Sequence, residues 1–153
     1  MLMGSIVLDA IDRDIVALLQ SNGRLSQEQI AQKVNLSRPA VHERIKRLEE
    51  QDILRGYQAI VDWGALGLSI AAFIFVRVST VNAPFNDTGA TIIQIHCPDA
   101  LITECHRITG EWCMLVKARV ASPLALQNVL DAIRAVPGVQ ETMTTMILST
   151  LLE

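Results

Sequence analysis

The stretch SQEQIAQKVNLSRPAVHERIKRLEEQ, residues 26–51, restricts what this chain can fold into more than any other part of it. Ser26 followed three residues later by Gln29 has the pattern of a capping box, in which the hydroxyl accepts from the Gln29 backbone N–H and the Gln29 side chain reaches back. Ile30, Ala31 and Val34 give the short helix that follows an apolar stripe at helical spacing. Asn35 and Leu36 form a turn, because Asn tolerates left-handed backbone angles almost as Gly does. Ser37 caps the next helix, with Pro39 in its first turn, where a missing N–H costs nothing. The pattern predicts a helix-turn-helix, whose second helix normally enters a DNA major groove N-terminus first.

Val41, Ile45 and Leu48 lie at i, i+4 and i+7 and face the core, leaving Pro39, His42, Glu43, Lys46, Arg47 and Glu50 on the remaining face. Ser37, Arg38, Pro39 and His42 occupy the N-terminal end, where side chains reach base edges, and Arg38 is the best placed for a bidentate contact to guanine. Arg44, Lys46 and Arg47 lie further along and suit phosphates. The plainer alternative is an ordinary helical hairpin with a solvated charged face.

With 153 residues the chain fits one domain or two small ones, and half its residues are hydrophobic. No run approaches the roughly 20 apolar residues of a membrane span, so no membrane association is expected. The opening MLMGSIVLDAIDRD carries a brief apolar patch without a basic lead or a cleavage pattern, so it does not read as a signal peptide. The surplus of apolar residues is better explained by an interface with another copy of the chain. A net charge of −3 argues against a protein that coats nucleic acid indiscriminately. It fits a sequence-specific binder that needs several recognition helices acting together. Cys97, Cys105 and Cys113 are odd in number and form no C-x-x-C pair, which suggests reduced thiols and a cytoplasmic location. His96, Cys97, Cys105, His106 and Cys113 cluster in sequence, yet their spacings match no zinc signature, so neither metal nor cofactor is expected.

A first helix is predicted from about Asp9 to Gln20, with Asp9 as cap, Leu8 as a staple and Ile11, Ile15, Leu18 and Leu19 buried. Asn22-Gly23 stops it, and Arg24 sits in the loop, where it can touch a phosphate or merely be solvated. After the third helix, Tyr57, Ala59 and Val61 alternate with polar neighbours as a strand would. The expected organisation is a tri-helical head over residues 1–54, a strand linker over 55–66 and a second domain over 67–153. In that domain SIAAFIFVRVS, residues 69–79, predicts a central strand buried on both faces. A loop with Pro84 and Asp87 follows, then a helix over 88–97 ended by Pro98. A hairpin over 101–109 and 112–120 turns around Gly110, a helix opens at Ser122-Pro123 and spans Leu124 to Ala135, and a last strand runs from Val139 to Leu148. This β-α-β-β-α-β order predicts an α+β fold with a ferredoxin-like sandwich, one sheet face of which has no helix and invites a second subunit.

Over essentially its full length the chain resembles the leucine-responsive and asparagine regulators, the Lrp/AsnC or feast/famine family. The resemblance is carried by LDAIDRDIVALLQSNGRLS, by LSRPAVHERIKRLEEQDILRGYQAIVD, by ITGEW, and by the PGV turn and TMTTMIL strand near the end. It implies a transcription regulator and not an enzyme, with an N-terminal head that binds double-stranded DNA and a C-terminal domain that dimerises through its sheets. It also implies further assembly, commonly into an octamer of four dimers, and an amino-acid effector held between C-terminal domains by the loop Thr109, Gly110, Glu111, Trp112 and Cys113.

That loop usually reads Gly-x-aromatic-Asp in the family, and here Cys113 stands where the acid is expected. A thiol supplies no matching charge for a ligand ammonium unless it ionises. Glu111 could substitute from two residues earlier if no bulge intervenes. The effector is therefore bound differently, is not an ordinary amino acid, or does not exist. Two rival functions follow: a ligand-independent architectural DNA-binding protein, and an enzyme resembling sirohaem decarboxylases, in which His42, His96 or His106 with Arg107 would handle a propionate-rich tetrapyrrole.

Overall fold

Asp9 and Asp12 begin the first helix by capping each other. In the computed structural model, which describes residues 8–79 and 84–150, the Asp9 carboxylate accepts from the Asp12 backbone N–H at 2.7 Å, and the Asp12 carboxylate accepts from the Asp9 N–H at 3.3 Å. The opening patch within residues 1–7, residues 80–83 of the loop after the first strand, and residues 151–153 lie outside the described residues. Helix α1 spans Ala10–Ser21, α2 Gln27–Val34 and α3 Arg38–Glu50. The capping box expected at Ser26 is formed, with 3.2 Å from Gln29 N to Ser26 Oγ and 2.9 Å from Ser26 N to Gln29 Oε1. Asn35 takes φ of 54°, the left-handed conformation that lets α2 end and α3 start within a few residues. Ser37 Oγ then accepts from Ala40 N at 3.4 Å.

The three helices meet on Ile15, Leu19, Ile30, Ala31, Val41, Ile45 and Leu48, all buried. Each large aliphatic side chain taken out of water contributes about 1.5–3 kcal/mol, so the seam of α3 holds that helix by its inner face and leaves the outer face free. Truncating the fully buried Leu48 to Ala would open a cavity costing about 2–5 kcal/mol.

The linker departs from expectation. The chain divides into two compact units, Met1–Ile60 and Val61–Glu153, and residues 55–62 form no strand, with Tyr57 52% and Ile60 92% exposed. A strand exists only through its ladder, and among the described residues no strand pairs with this segment. A turn follows, with Ala65 N bonded to Asp62 Oδ1 at 3.0 Å and Leu68 N to Trp63 O at 2.8 Å.

The second unit contains β1 Ile70–Val78, α4 Phe85–Ile93, β2 Ala100–Arg107, β3 Met114–Val120, α5 Pro123–Arg134 and β4 Val139–Ile147. Its sheet has the order β2-β3-β1-β4 with every neighbouring pair antiparallel, the ferredoxin-like arrangement. Ala72, Ile74, Val76 and Val78 lie beside Met114, Val116, Ala118 and Val120, and this face packs on Ile92 of α4 and on Ala125, Leu126, Val129 and Ile133 of α5. Strand side chains alternate between faces, so Phe73, Phe75 and Arg77 of β1 point the other way and are only half-buried. Within one chain, then, the central strand is buried on one face, and the expectation of burial on both is not met.

Helix α4 starts and ends earlier than expected. Pro84 is its N-cap, and Asp87 lies in its first turn, where a carboxylate favours the positive end of the helix, so Asp87 belongs to the helix and not to the loop. It ends at Ile93 through tight turns from Ile95 N to Ile92 O at 3.1 Å and from Gln94 N to Thr91 O at 3.2 Å, short of Pro98. Ile95 and Cys97 pack on the core from the extended segment that follows. No described helix is long and apolar enough to cross a membrane.

Candidate nucleic-acid interface

Burying Val41, Ile45 and Leu48 turns the opposite side of α3 outward. Ser37, Arg38, Pro39 and His42 are exposed together at its N-terminal end. Arg38 has no hydrogen bond or ion pair to other described residues, so its guanidinium retains all its donors. His42 follows one helical turn later on the same side, and its Nδ1 lies 3.1 Å from Nε2 of Gln27, the first residue of α2. Gln27, Arg38, Pro39 and His42 line an open notch of about 490 Å³. Lys46 is exposed, and its Nζ sits 3.8 Å from Glu50, a surface pair of small worth that leaves the ammonium available. Arg24 is also exposed, in the loop between α1 and α2.

Arg44 and Arg47, expected to contact phosphates, also have partners within the head. Arg44 Nη1 lies 2.6 Å from Asp9 and 2.7 Å from Asp12, and Arg47 Nη2 lies 2.7 Å from each Asp12 oxygen. Asp12 is only 1% exposed, and a buried carboxylate needs charged partners. Both arginines therefore fasten α3 to α1. The Asp12 backbone N–H, then the Arg44 guanidinium, hold the Asp9 carboxyl below its usual range, and the Asp9 and Asp12 carboxylates raise Arg44 in turn. Sequence reasoning missed Asp12, although it sits three and seven residues before the buried Ile15 and Leu19, on the inward phase of α1. It also missed Gln27, whose partner is 15 residues away across the turn.

The loop from Ile108 to Cys113, closed by a 3.0 Å bond from Ile108 N to Cys113 O, joins β2 to β3. Gly110 takes φ of +112°, a conformation only Gly enters readily. Thr109 and Glu111 are exposed, and Glu111 Oε1 lies 2.6 Å from Arg77 Nη2, while Arg77 Nη1 reaches Glu141 at 3.0 Å. The Arg77 guanidinium also lies 5.0 Å from the Trp112 ring centre, and Trp112 contacts Phe75 at 6.3 Å between centroids. Cys113 is tied to the sheet by its N–H to Val76 O at 3.1 Å, with its thiol 4.0 Å from Val78 O. Strand β3 starts only at Met114, so Glu111 does not share a strand face with Cys113. It turns to Arg77 instead. Nearby on the sheet, Glu104 lies 2.8 Å from Lys117 and 3.1 Å from His106, and these bonds, that from Lys117 first, hold its carboxyl below the usual range.

The other titratable residues singled out by sequence have separate local partners. His96 Nδ1 contacts Gln94 O at 2.6 Å, His106 faces Glu104, and the Arg107 guanidinium lies 4.4 Å from the Phe85 ring centre. Among the described residues no three His, Cys, Asp or Glu side chains converge as metal ligands.

Comparison with known proteins accounts for both units. Residues 8–55 match the winged helix-turn-helix DNA-binding family, and residues 72–153 match the Lrp/AsnC ligand binding domain. The chain belongs to the Lrp/AsnC family. Among relatives of this Lrp/AsnC regulator, the HTH-type transcriptional regulator FL11 of Pyrococcus horikoshii is 34% identical over 143 residues, covering 94% of this chain and 91% of its own. The leucine-responsive regulatory protein of Salmonella typhimurium is 33% identical over 140 residues, covering 90% and 82%. A transcriptional regulator from Neisseria meningitidis, solved as a complex with L-methionine, superposes with a TM-score of 0.87 at 29% identity over 96% of this chain and 94% of that one. The feast or famine regulatory protein from M. tuberculosis, complexed with L-methionine, gives 0.86 at 31% identity over 96% of each chain. This Lrp/AsnC protein is thus a DNA-binding transcription regulator with an α+β fold.

Proposed function

We propose that the regulator reads a pseudo-palindromic operator as a dimer, placing paired α3 helices in successive major grooves about 34 Å apart. The observation that carries this is the exposed, unpartnered Arg38 beside His42 at the end of a helix whose opposite seam is fully buried. Arg38 and His42 reach base edges, with Ser37 and Pro39 at the same approach. Lys46 and Arg24 supply phosphate contacts, and Arg44 and Arg47 set the pose of α3. In this reading residues 1–54 are the DNA-binding head, 55–66 the linker and 67–153 the assembly domain. The sheet face bearing Phe73, Phe75 and Leu115 meets its counterpart in a second copy, and dimers associate further, up to an octamer. The protein acts in the cytoplasm and carries no catalytic role.

An amino acid or related molecule is the proposed effector, at the loop Thr109–Cys113. The L-methionine complexes of two structural neighbours support it, and a zwitterion that opened the Arg77–Glu111 pair would meet one charge of each sign. Such a ligand regulates only if it binds two assemblies with different affinity. Cys113, in place of an acid, favours a second reading in which the protein organises DNA without a ligand. Genome-wide mapping of bound sites with and without L-methionine tests both: redistribution of sites supports the sensor, and an unchanged map supports the architectural reading. An absence of discrete sites contradicts sequence-specific binding.

A further inference from the structure

Gln27 has no place in the base-reading scheme above, yet it is the residue that fixes how His42 is presented. The Gln27 backbone is held by the Ser26–Gln29 capping box, and the turn at Asn35, closed by Leu36 N to Ala31 O at 3.0 Å, sets α2 against α3. Its side chain places Nε2 3.1 Å from His42 Nδ1. With its amide nitrogen toward the ring Gln27 donates and Nδ1 accepts, which favours the tautomer that carries its proton on Nε2. Nε2 lies across the ring from Nδ1, so the N–H it carries points away from Gln27. Arg38 is four residues earlier on the same face of α3 and lines the same notch.

We infer that Gln27 is a positioning residue for DNA recognition: it holds His42 in the tautomer that donates through Nε2–H, so that His42 selects a base presenting acceptors in the major groove. Guanine presents O6 and N7 there, whereas cytosine presents the N4 amino donor, which repels a second donor. The specificity is therefore guanine over cytosine at one position, beside the position read by Arg38. This rests on the reading of α3 as the recognition helix, and adds the polarity of one contact and the residue of α2 that sets it.

A double-mutant cycle tests it, using the full-length protein and the tightest duplex recovered from a random-sequence pool. Gln27→Ala and His42→Ala each lose about tenfold in preference for guanine over cytosine at one and the same position. The double variant loses no more than either, and Arg38→Ala acts at a different position. Nitrogen-15 spectra of the His42 ring give a second readout. The wild-type ring carries its proton on Nε2, while Gln27→Glu, whose carboxylate only accepts, moves a proton to Nδ1 and erodes the guanine preference. Losses that multiply in the double variant, an equal loss from Gln27→Ala on every duplex, or a ring spectrum unchanged in Gln27→Glu each overturn the role of Gln27 alone. A wild-type chain with no base preference overturns the reading of α3 and this inference together.

Discussion

Arg47 grips Asp12 through both carboxylate oxygens, its Nη2 lying 2.7 Å from each, and so joins the last turn of α3 to the start of α1. With Arg44 2.7 Å from the same carboxylate, a buried charge is held by two cations that themselves remain partly in water. Losing one leaves the other in place, so Arg44→Ala or Arg47→Ala should lower stability by about 1 kcal/mol. Losing both strands a buried carboxylate and should cost about 3–5 kcal/mol. Urea unfolding followed by helical circular dichroism checks this, and simple additivity of the two single losses would contradict a shared role.

Acid should loosen both units by the same logic. Asp9, ordinarily near 3.8, and Glu104, ordinarily near 4.5, are held lower in the folded chain by the Asp12 backbone N–H and by Lys117 respectively. A depressed folded value means that the stabilising contribution is complete above the ordinary value and is lost as pH falls through the folded one. Melting temperatures should therefore decline as pH falls below 4.5, and Asp9→Asn should flatten the part of the decline that belongs to the head. An identical acid profile for that variant would remove Asp9 from the account.

The division of labour on α3 can be read from salt dependence. Arg38→Ala should cost about 1–3 kcal/mol on the specific duplex and relax its sequence requirement, because a base contact is lost. Lys46→Ala should weaken binding to all duplexes alike and reduce the slope of log affinity against log salt by about one. Equal effects of the two variants on specific and random DNA would take the base-reading role from Arg38.

Much of this was legible in sequence because the relevant signals are local. The Ser26–Gln29 pair, Asn35 with its left-handed angle and the Val41, Ile45, Leu48 seam each announce themselves within a few residues, and all three are found in place. The β-branched runs likewise gave the strands and their order. What spacing does not show depends on forces that act across the fold. The end of α4 was set by the demand of the core for Ile95 and Cys97, which no helical periodicity encodes. Residues 55–62 alternate like a strand but pair with no strand among the described residues. The engagement of Arg44 and Arg47 with an acid more than 30 residues away, and of Glu111 with Arg77, left no trace in spacing because such pairs depend on how elements pack.

The uncovered sheet face gives a prediction about assembly. Phe75 sits opposite Leu115 and Met143 in the ladder, with Met143 42% exposed. Phe75→Glu should place a charge in the proposed contact between copies and shift the protein toward monomer by sedimentation velocity. Its own fold should be little affected, since Phe75 lies on the side away from the core. DNA affinity should fall with it, because two recognition helices no longer act together. A Phe75→Glu protein that stays assembled would place the contact elsewhere.

Selection of bound duplexes from a random-sequence pool by the purified wild-type protein is the most direct measurement of all. The enriched sequence should be a pseudo-palindrome whose half-site centres lie about 10 base pairs apart, or a multiple of that, with a guanine contact in each half that disappears when Arg38 is replaced by Ala. A pool that stays random after repeated rounds, or an enriched sequence indifferent to Arg38, would contradict sequence reading by α3.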